Sequence, residues 1–467
     1  MVIVGGGFGG LYAARALTGS WARVTLLDRR NHHLFQPLLY QVATAALNPS
    51  DIATPLRSIL RRAANVTVLL AEVRSVDLAG RRVILDEGEL TYDALVLAAG
   101  AGNSYFGHDD WEALAPSLKS LEDALEIRRR VLLAYEDAER EQDGAEQRAL
   151  LTSVVIGGGP TGVELAGALG EIAHDTLKRD FRAIRSAEAK IVLVEALDRV
   201  LPPYPPDRSR SAQRQLEHLG VEVRTGTRVV DISERSVLVV GGDGQASALP
   251  ARTVLWAAGV RASTFAGTVA AATGAETDRA GRVIVGPDLT IPGHPEIFIV
   301  GDAAVQPWKA GLPTPGVAQG AIQGGSYAAA VIRRRILNRP VEPFHYRDRG
   351  DVAVIGRLAG VTNIGWLGPF GRQSGFLAWS LWLGIHILYL IGFSNRVVVL
   401  IRWAWSFITH GRGARLITGT TLLPPIEEPK PPVLAPVEPG DLPGSASSLA
   451  DRSGAAGEGI SSEVESG

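Results

Sequence analysis

The chain has 467 residues and not one cysteine. That absence excludes disulfides, thiolate-held metals, iron–sulfur clusters and any dithiol that could shuttle electrons within the protein. The nine histidines show no metal-ligand spacing, and no metal is expected. A second absence is local. Between Val352 and Ile426 there is no Asp or Glu, yet the span holds six arginines (357, 372, 396, 402, 412 and 415) and five of the nine tryptophans (366, 379, 382, 403 and 405). Within it, Phe376 to Phe393 is free of charge and largely apolar. That is borderline for a span, which needs roughly 20 apolar residues. Arginine flanks and dense tryptophan instead suit a helix lying in the interface of an anionic leaflet, with a buried core helix or a dimer interface as the alternative. No secretory signal is visible, because the chain starts directly in a short apolar strand, Val2 to Val4. A start a few residues upstream is expected, and mass spectrometry of the native N-terminus checks it.

The formal charge of −2 hides an asymmetry. Eight acids against Lys430 and Arg452 give the stretch from Pro424 to Gly467 a net −6, which leaves +4 on the rest of a chain totalling −2. That stretch is rich in Pro, Ser, Gly and Glu and reads as a disordered tail. No nucleic-acid partner is expected.

What is present is a dinucleotide-binding fingerprint, twice. The first copy is Val2 to Val4 followed by Gly5-Gly6-Gly7-Phe8-Gly9-Gly10, with Asp28 ending the next apolar run. The second is Val154 to Ile156 followed by Gly157-Gly158-Gly159-Pro160-Thr161-Gly162, with Glu195 ending the run from Ile191. In such loops glycines allow a tight turn and close approach to a pyrophosphate, which rests on the positive end of the following helix. An acid closing the second strand accepts from ribose hydroxyls and repels a 2′-phosphate, so Asp28 and Glu195 select FAD or NAD, and Glu195 favours NADH over NADPH. Arg199 nearby could accommodate a phosphate, and Glu195 could simply cap its strand. The spacing from Gly162 to Glu195 exceeds the usual ~20 residues. The surplus, Ala173 to Glu188, reads as an extension of the helix.

The two copies and the echo between Gly100 and Gly259, each closing an apolar strand on small residues, define the fold. It is an α/β protein with two Rossmann-like dinucleotide-binding domains, the second inserted in the first, and a C-terminal helical membrane-docking region. With these features the chain resembles the two-dinucleotide-domain flavoproteins, and the resemblance implies a FAD domain assembled from 1–112 and 263–335; the other expected boundaries are 113–262 for the NADH domain with a leading helix, 336–423 for the membrane-associated region and 424–467 for the tail. Ser120 to Arg148 reads as one long amphipathic helix, and Leu312 to Gly325 as a lead-in to a helix at Ser326 to Leu337. The strand Ile297 to Val300 returns to the first domain and delivers Gly301-Asp302 to the ribityl and pyrophosphate region.

Without cysteine, electrons on a flavin need an acceptor that is not a thiol, and the aromatic C-terminal span points to one dissolved in membrane. Three segments then resemble type II NADH dehydrogenases: Phe35-Gln36-Pro37-Leu38-Leu39-Tyr40-Gln41-Val42-Ala43, Gly158 to Gly167, and Ala318-Gln319-Gly320-Ala321-Ile322-Gln323. So do Trp382, His386, Gly392-Phe393, Asn395-Arg396 and Trp403. The resemblance covers about residues 2–420. It implies a non-pumping NADH:quinone oxidoreductase with non-covalent FAD, monotopic on the cytoplasmic face of the cell membrane, possibly a homodimer. It places Gln319 and Gln323 beside the flavin at the quinone end, where an amide donates to a quinone carbonyl without adding charge. It places Glu164 between nicotinamide and flavin. Many members carry a second acid four residues on; this chain has Ala168. The expected FAD set is Gly5, Gly7, Gly10, Asp28, Gln36, Pro37, Gly100, Gly301, Asp302 and Ala318, and the NADH set Gly157, Gly159, Gly162, Glu195 and Gly259. His32 and His33 read as hydrogen-bonded loop anchors, and His386 as a satisfied interfacial histidine. Two rivals stand beside this reading: a soluble NAD(P)H-dependent reductase of a small iron–sulfur protein, and a nucleotide-sensing flavoprotein similar to the apoptosis-inducing-factor group.

Overall fold

The computed structural model describes residues 1–309, 312–409 and 411–418, so the acidic tail from Pro424 lies outside the described residues. Two parallel sheets carry the chain. The first runs in the order Thr290–Ile291, His294–Ile299, Leu95–Leu97, Val2–Val4, Val24–Asp28, Val66–Leu70, with only the outermost pair antiparallel. The second runs Val221–Arg224, Lys190–Val194, Thr152–Ile156, Thr253–Trp256 and is wholly parallel. Central strands such as Val2–Val4 and Leu95–Leu97 are buried at every position, as a parallel sheet covered on both faces requires.

The units repeat in detail. Each places a three-stranded antiparallel meander just before a strand that pairs with the glycine-loop strand: Val73–Asp77, Arg82–Leu85 and Glu89–Thr91 in the first, Arg228–Ile232, Ser236–Val240 and Ala246–Pro250 in the second. The chain crosses between units twice, and the crossings lie side by side as an antiparallel pair, Ala101–Asn103 with Val260–Ala262. That pairing shows the second unit inserted in the first.

Several elements differ from the sequence expectation. The long helix spans Leu121–Arg140 only, opened by a capping box in which the Asp123 N–H donates to Ser120 Oγ at 3.1 Å and the Ser120 N–H to Asp123 at 2.9 Å. The Gln142-Asp143-Gly144 turn stops it, and Asp143 caps a second helix, Gly144–Leu150. The surplus before Glu195 is not a helix extension. The helix Pro160–Glu171 passes into a single π turn, Ile172–Thr176, and then into a loop held by Glu139, whose carboxylate accepts the N–H groups of Arg182, Ala183 and Ile184 at 2.7–3.0 Å. The helix expected from Ser326 begins earlier, at Ala318.

The charge-free run Phe376 to Phe393 is not one helix either. It forms Phe376–Tyr389, breaks at Leu390 to Gly392, and a second helix follows at Phe393–Thr409. No helix among the described residues is long and apolar enough to cross a membrane. The region is also not purely helical, since the hairpin Asp351–Gly356/Ala359–Asn363 precedes the helices and packs on Pro160–Glu171. Strand alternation over these few residues is weak beside the apolar run that follows. Ala378, Trp382 and His386, one turn apart, form the buried stripe of the first C-terminal helix.

Candidate functional site

A cavity of about 970 Å³ opens where the first glycine loop, the second unit and the C-terminal region meet. Gly5 to Gly9, Asp28, Gln36, Pro37, Gly100, Gly301, Asp302, Ala318 and Gln319 line it from the first unit, Pro160, Thr161, Glu164 and Tyr204 from the second, and Asp351, Ile385, His386 and Tyr389 from the C-terminal elements.

The loops have the same internal construction. Gly5 and Gly157 adopt φ of +102° and +110°, open only to glycine at low cost. A Cβ on Gly10 would lie 1.8 Å from the Gly5 carbonyl oxygen, and one on Gly162 1.8 Å from that of Gly157, so each third glycine lets its helix sit against its own loop. A Cβ on Gly7 or Gly159 would meet nothing within 4 Å, which leaves room for a phosphate at the helix N-terminus. Asp28 accepts from the N–H groups of Gly6 and Arg30, and Glu195 from those of Gly158 and Leu197. Both acids thus brace their loops while keeping lone pairs for ribose hydroxyls. Asp302 makes no hydrogen bond among the described residues, and burial raises its pKa. An unpaired carboxyl, an open glycine cradle and a cavity of this volume fit an extended dinucleotide that brings its own hydroxyl and amine donors.

The two loops differ in their surroundings. Gly157, Gly159, Gly162, Glu195 and Gly259 stand outside the cavity lining, and from the second helix only Pro160, Thr161 and Glu164 reach it. Glu164 accepts the Val354 N–H at 3.4 Å; burial pushes its carboxyl up to about 8 against that bond and the nearby Trp382 indole. Asp351, which the sequence reading passed over, joins it, raised to about 6 by burial and by Asp348. Tyr204 was also missed. No signal marked either residue, because the loop and hairpin that carry them were not recognised as neighbours of the second glycine loop.

Gln319 lines the cavity, whereas Gln323, one turn further along the helix, does not. Both ends of the Gln323 amide are engaged by Arg347, donating to its carbonyl at 2.9 Å and accepting its N–H at 3.0 Å. The residue braces the connection leaving that helix. His33 bonds the Gly6 carbonyl at 3.0 Å, and His32 bonds Asn31 at 3.0 Å. His386 bonds the Trp382 carbonyl at 2.7 Å and stacks on its ring at 4.3 Å. Burial holds His33 and His386 near a pKa of about 4, so both are neutral at pH 7.

Most arginines of the acid-free span are engaged by the fold itself, more than expected. Arg412 pairs with Glu171 at 2.7 Å, Arg402 with Asp51 at 3.0 Å, and Arg415 with Asp180. Arg396 donates to the Leu388 and Leu390 carbonyls, and Arg357 to that of Ser406. A span without acids draws its counter-charges from the rest of the fold.

Comparison with known proteins gives a consistent result. Residues 1–325 match the family described as pyridine nucleotide-disulphide oxidoreductase. The chain is 44% identical over 426 residues to the type II NADH:quinone oxidoreductase Ndh of Mycobacterium tuberculosis, covering 90% of each. It is 30% identical over 389 residues to the type II NADH:quinone oxidoreductase of Staphylococcus aureus, covering 81% of this chain and 92% of that one. In fold it resembles NDH2 of Plasmodium falciparum, solved in complex with NADH, with a TM-score of 0.81 at 19% identity over 90% of this chain and 99% of that one.

Proposed function

The chain belongs to the pyridine nucleotide-disulphide oxidoreductases and, within them, to the type II NADH:quinone oxidoreductases, and from that premise we propose how its residues divide the work. It is an FAD-dependent enzyme that takes electrons from NADH and gives them to a quinone. Bound FAD supplies the two-electron chemistry that no side chain here can. In our reading Gly5, Gly7 and Gly10 hold its pyrophosphate, Asp28 its adenosine ribose, and Asp302 its ribityl chain, with Gln36, Pro37, Gly100, Gly301 and Ala318 shaping the rest of the cavity. Gly157, Gly159, Gly162, Glu195 and Gly259 hold NADH at the open loop. Glu164 orients the nicotinamide end, and Gln319 donates its amide to a quinone carbonyl. Gln323 supports Gln319 through the helix rather than by contact.

The observation that carries this reading is the convergence of Glu164, Gln319 and the first glycine loop on one cavity walled by the C-terminal helix. Steady-state oxidation of NADH and NADPH with a tail-truncated quinone tests it. NADH is expected to be preferred, and Gln319→Leu to raise KM for quinone roughly fivefold while leaving flavin reduction by NADH intact, a neutral hydrogen bond being worth about 1 kcal/mol. An unchanged quinone KM removes Gln319 from the site.

The enzyme docks peripherally on the cytoplasmic leaflet. Trp366, Phe370, Phe376, Leu388, Phe393, Ile401, Trp405 and Ile408 are exposed along the C-terminal span, a density of large apolar side chains that water does not favour. Because five of the six arginines there, all but Arg372, are engaged by carboxylates or carbonyls of the fold itself, lipid attachment rests on apolar burial more than on attraction to anionic headgroups. Vesicle flotation set against sedimentation of the lipid-free protein separates this from a homodimer covering the same face.

A further inference from the structure

Phe106 is held in a conformation that its side chain does not favour. Its φ is +54°, that of Gly107 is +98°, and the His108 N–H donates to the Tyr105 carbonyl at 3.1 Å. Those features make a tight turn with positive φ at both central positions, which Asn-Gly or Gly-Gly fills at low cost and a bulky aromatic does not. Such strain persists only where the surrounding structure fixes it, and it gathers at functional sites. Here the turn is fixed from within. Tyr105 is buried, its hydroxyl donates to the Ala115 carbonyl at 2.9 Å, and its ring lies 5.0 Å from that of Trp256, whose indole N–H donates to the Ser104 carbonyl at 3.0 Å. Phe106 gains little from this packing: its ring centroid is 6.2 Å from that of Trp256, and the residue is 69% exposed.

The ring stands at the mouth of the second glycine loop. The strand Thr253–Trp256 runs out through Ala257, Ala258 and Gly259. A Cβ on Gly157 would lie 2.8 Å from the Ala258 nitrogen, and one on Gly259 2.9 Å from the Phe106 ring, so the loop, the strand end and the ring press on one another in turn. Val260, next in the chain, is also exposed, and Asn103, three residues before Phe106, lines the first cavity. A dinucleotide whose pyrophosphate rests on the second loop reaches that cavity across this rim, at the carboxyl ends of the strands, where such ligands bind.

We propose that Phe106 is a clamp for the pyridine nucleotide. Its ring packs on the nicotinamide–ribose half of NADH where that half passes from the second loop over Gly259 into the cavity. The ligand takes the place of water on a ring that the protein leaves uncovered, and the strained turn keeps the ring at the mouth. The clamp touches no reacting atom; it sets the affinity for NADH and the residence of NAD⁺.

The inference rests on NADH occupying the second loop, and the test separates the two. In the FAD-loaded full chain, stopped flow gives the NADH concentration that half-saturates flavin bleaching, and each variant is also titrated with NAD⁺ by calorimetry and melted. Phe106→Gly removes the ring and leaves a residue suited to the turn. It is expected to melt no lower than wild type, because the strain goes with the side chain, and to need roughly tenfold more NADH, the loss for an aromatic ring partly buried by a ligand. Phe106→Ala is expected to bind NADH as weakly but to melt below Phe106→Gly, since alanine keeps the strain of positive φ. Phe106→Tyr, which restores a ring, is expected to recover most of the affinity, and KM for a tail-truncated quinone stays at the wild-type value throughout. Half-saturation at the wild-type concentration in Phe106→Gly overturns the clamp. So does a lowered melting temperature in that variant, which marks Phe106 as packing for Trp256, and so does a parallel rise in quinone KM. If Glu195→Ala also leaves half-saturation unchanged, the placement of NADH fails and the clamp with it; if Glu195→Ala shifts it and Phe106→Gly does not, the clamp alone fails.

Discussion

The two glycine loops of this protein are built alike and used differently. Each has a first glycine at positive φ, a third glycine pressed against the first, an open second glycine, and an acid accepting two backbone N–H groups. Only the first is walled in. The Gln36-Pro37 turn, the start of the helix at Ala318 and the C-terminal helix around His386 surround its cavity, whereas the glycines of the second loop stand outside that lining, which only Pro160 and Thr161 reach. On the proposed assignment the same cradle serves a resident cofactor when covered and a substrate that must leave each turnover when open, so that affinity is expected to follow the enclosure rather than the motif.

Filling the third glycine of each loop gives the largest effects. Gly10→Ala and Gly162→Ala each place a Cβ 1.8 Å from a carbonyl oxygen, and overpacking of this kind costs about 1–3 kcal/mol. Gly10→Ala is expected to purify without flavin and to melt lower. Gly162→Ala keeps its flavin spectrum and is bleached by dithionite but no longer by NADH at ordinary concentrations. Loss of flavin from both variants erases the distinction between covered and open loops. The acids should follow the same division with smaller effects. Removing a charged acceptor costs about 1.5–3 kcal/mol, so Glu195→Ala raises KM for NADH roughly tenfold to a hundredfold and narrows the preference over NADPH. Asp28→Ala leaves that KM alone and shows itself as flavin loss on dilution.

How much of this was legible in the sequence follows from the range over which each feature is encoded. The loops, their acids and the insertion are local patterns, fixed by glycine spacing and apolar runs a few residues long. The strands Val66–Leu70 and Arg82–Leu85 have the limits that their β-branched residues suggest. Gln319 and Gln323 are four residues apart on one helix, yet only the structure shows that the cavity ends between them and that Arg347 takes the second. The place of Asp351 depends on a hairpin that sets residues about 190 positions apart side by side, as in the Val354–Glu164 bond. Nothing in either segment alone announces that contact. The arginines of the acid-free span misled for the same reason, because their partners Asp51, Glu171 and Asp180 lie far back in the chain.

Glu164 sits where the territories of the two loops meet, and its titration reports on that junction. Burial raises its pKa to about 8 from an ordinary 4.5, so the folded state holds a proton that the unfolded chain releases between those values. The stabilisation is complete below about 4.5 and fades as pH rises through about 8. Glu164→Gln has no such proton to lose. Its melting temperature relative to wild type is therefore expected to climb between pH 5 and pH 8 and to level off above about 8, when the two are scanned by calorimetry. A constant difference across that range would mean that the junction is wetter than the structure shows.

The smallest expected effect concerns the C-terminal face that encloses the first loop. If attachment to lipid relied on free arginines, raising salt would release the protein, because attraction between exposed charges fades beyond a Debye length of about 8 Å at physiological ionic strength. With Arg402, Arg412 and Arg415 each paired to a carboxylate of the fold, flotation with neutral and with anionic vesicles is expected to differ only slightly and to persist at high salt. Trp405→Ser, at a position 67% exposed, should weaken flotation on both vesicle types equally, by up to about tenfold for an aromatic ring only partly inserted. Flavin content in that variant stays at the wild-type level, because Trp405 is not part of the cavity wall. Flotation abolished by salt would return the docking role to the arginines, and loss of flavin in Trp405→Ser would show that the outer surface of the C-terminal helices, and not only their inner side, sets the enclosure of the first loop.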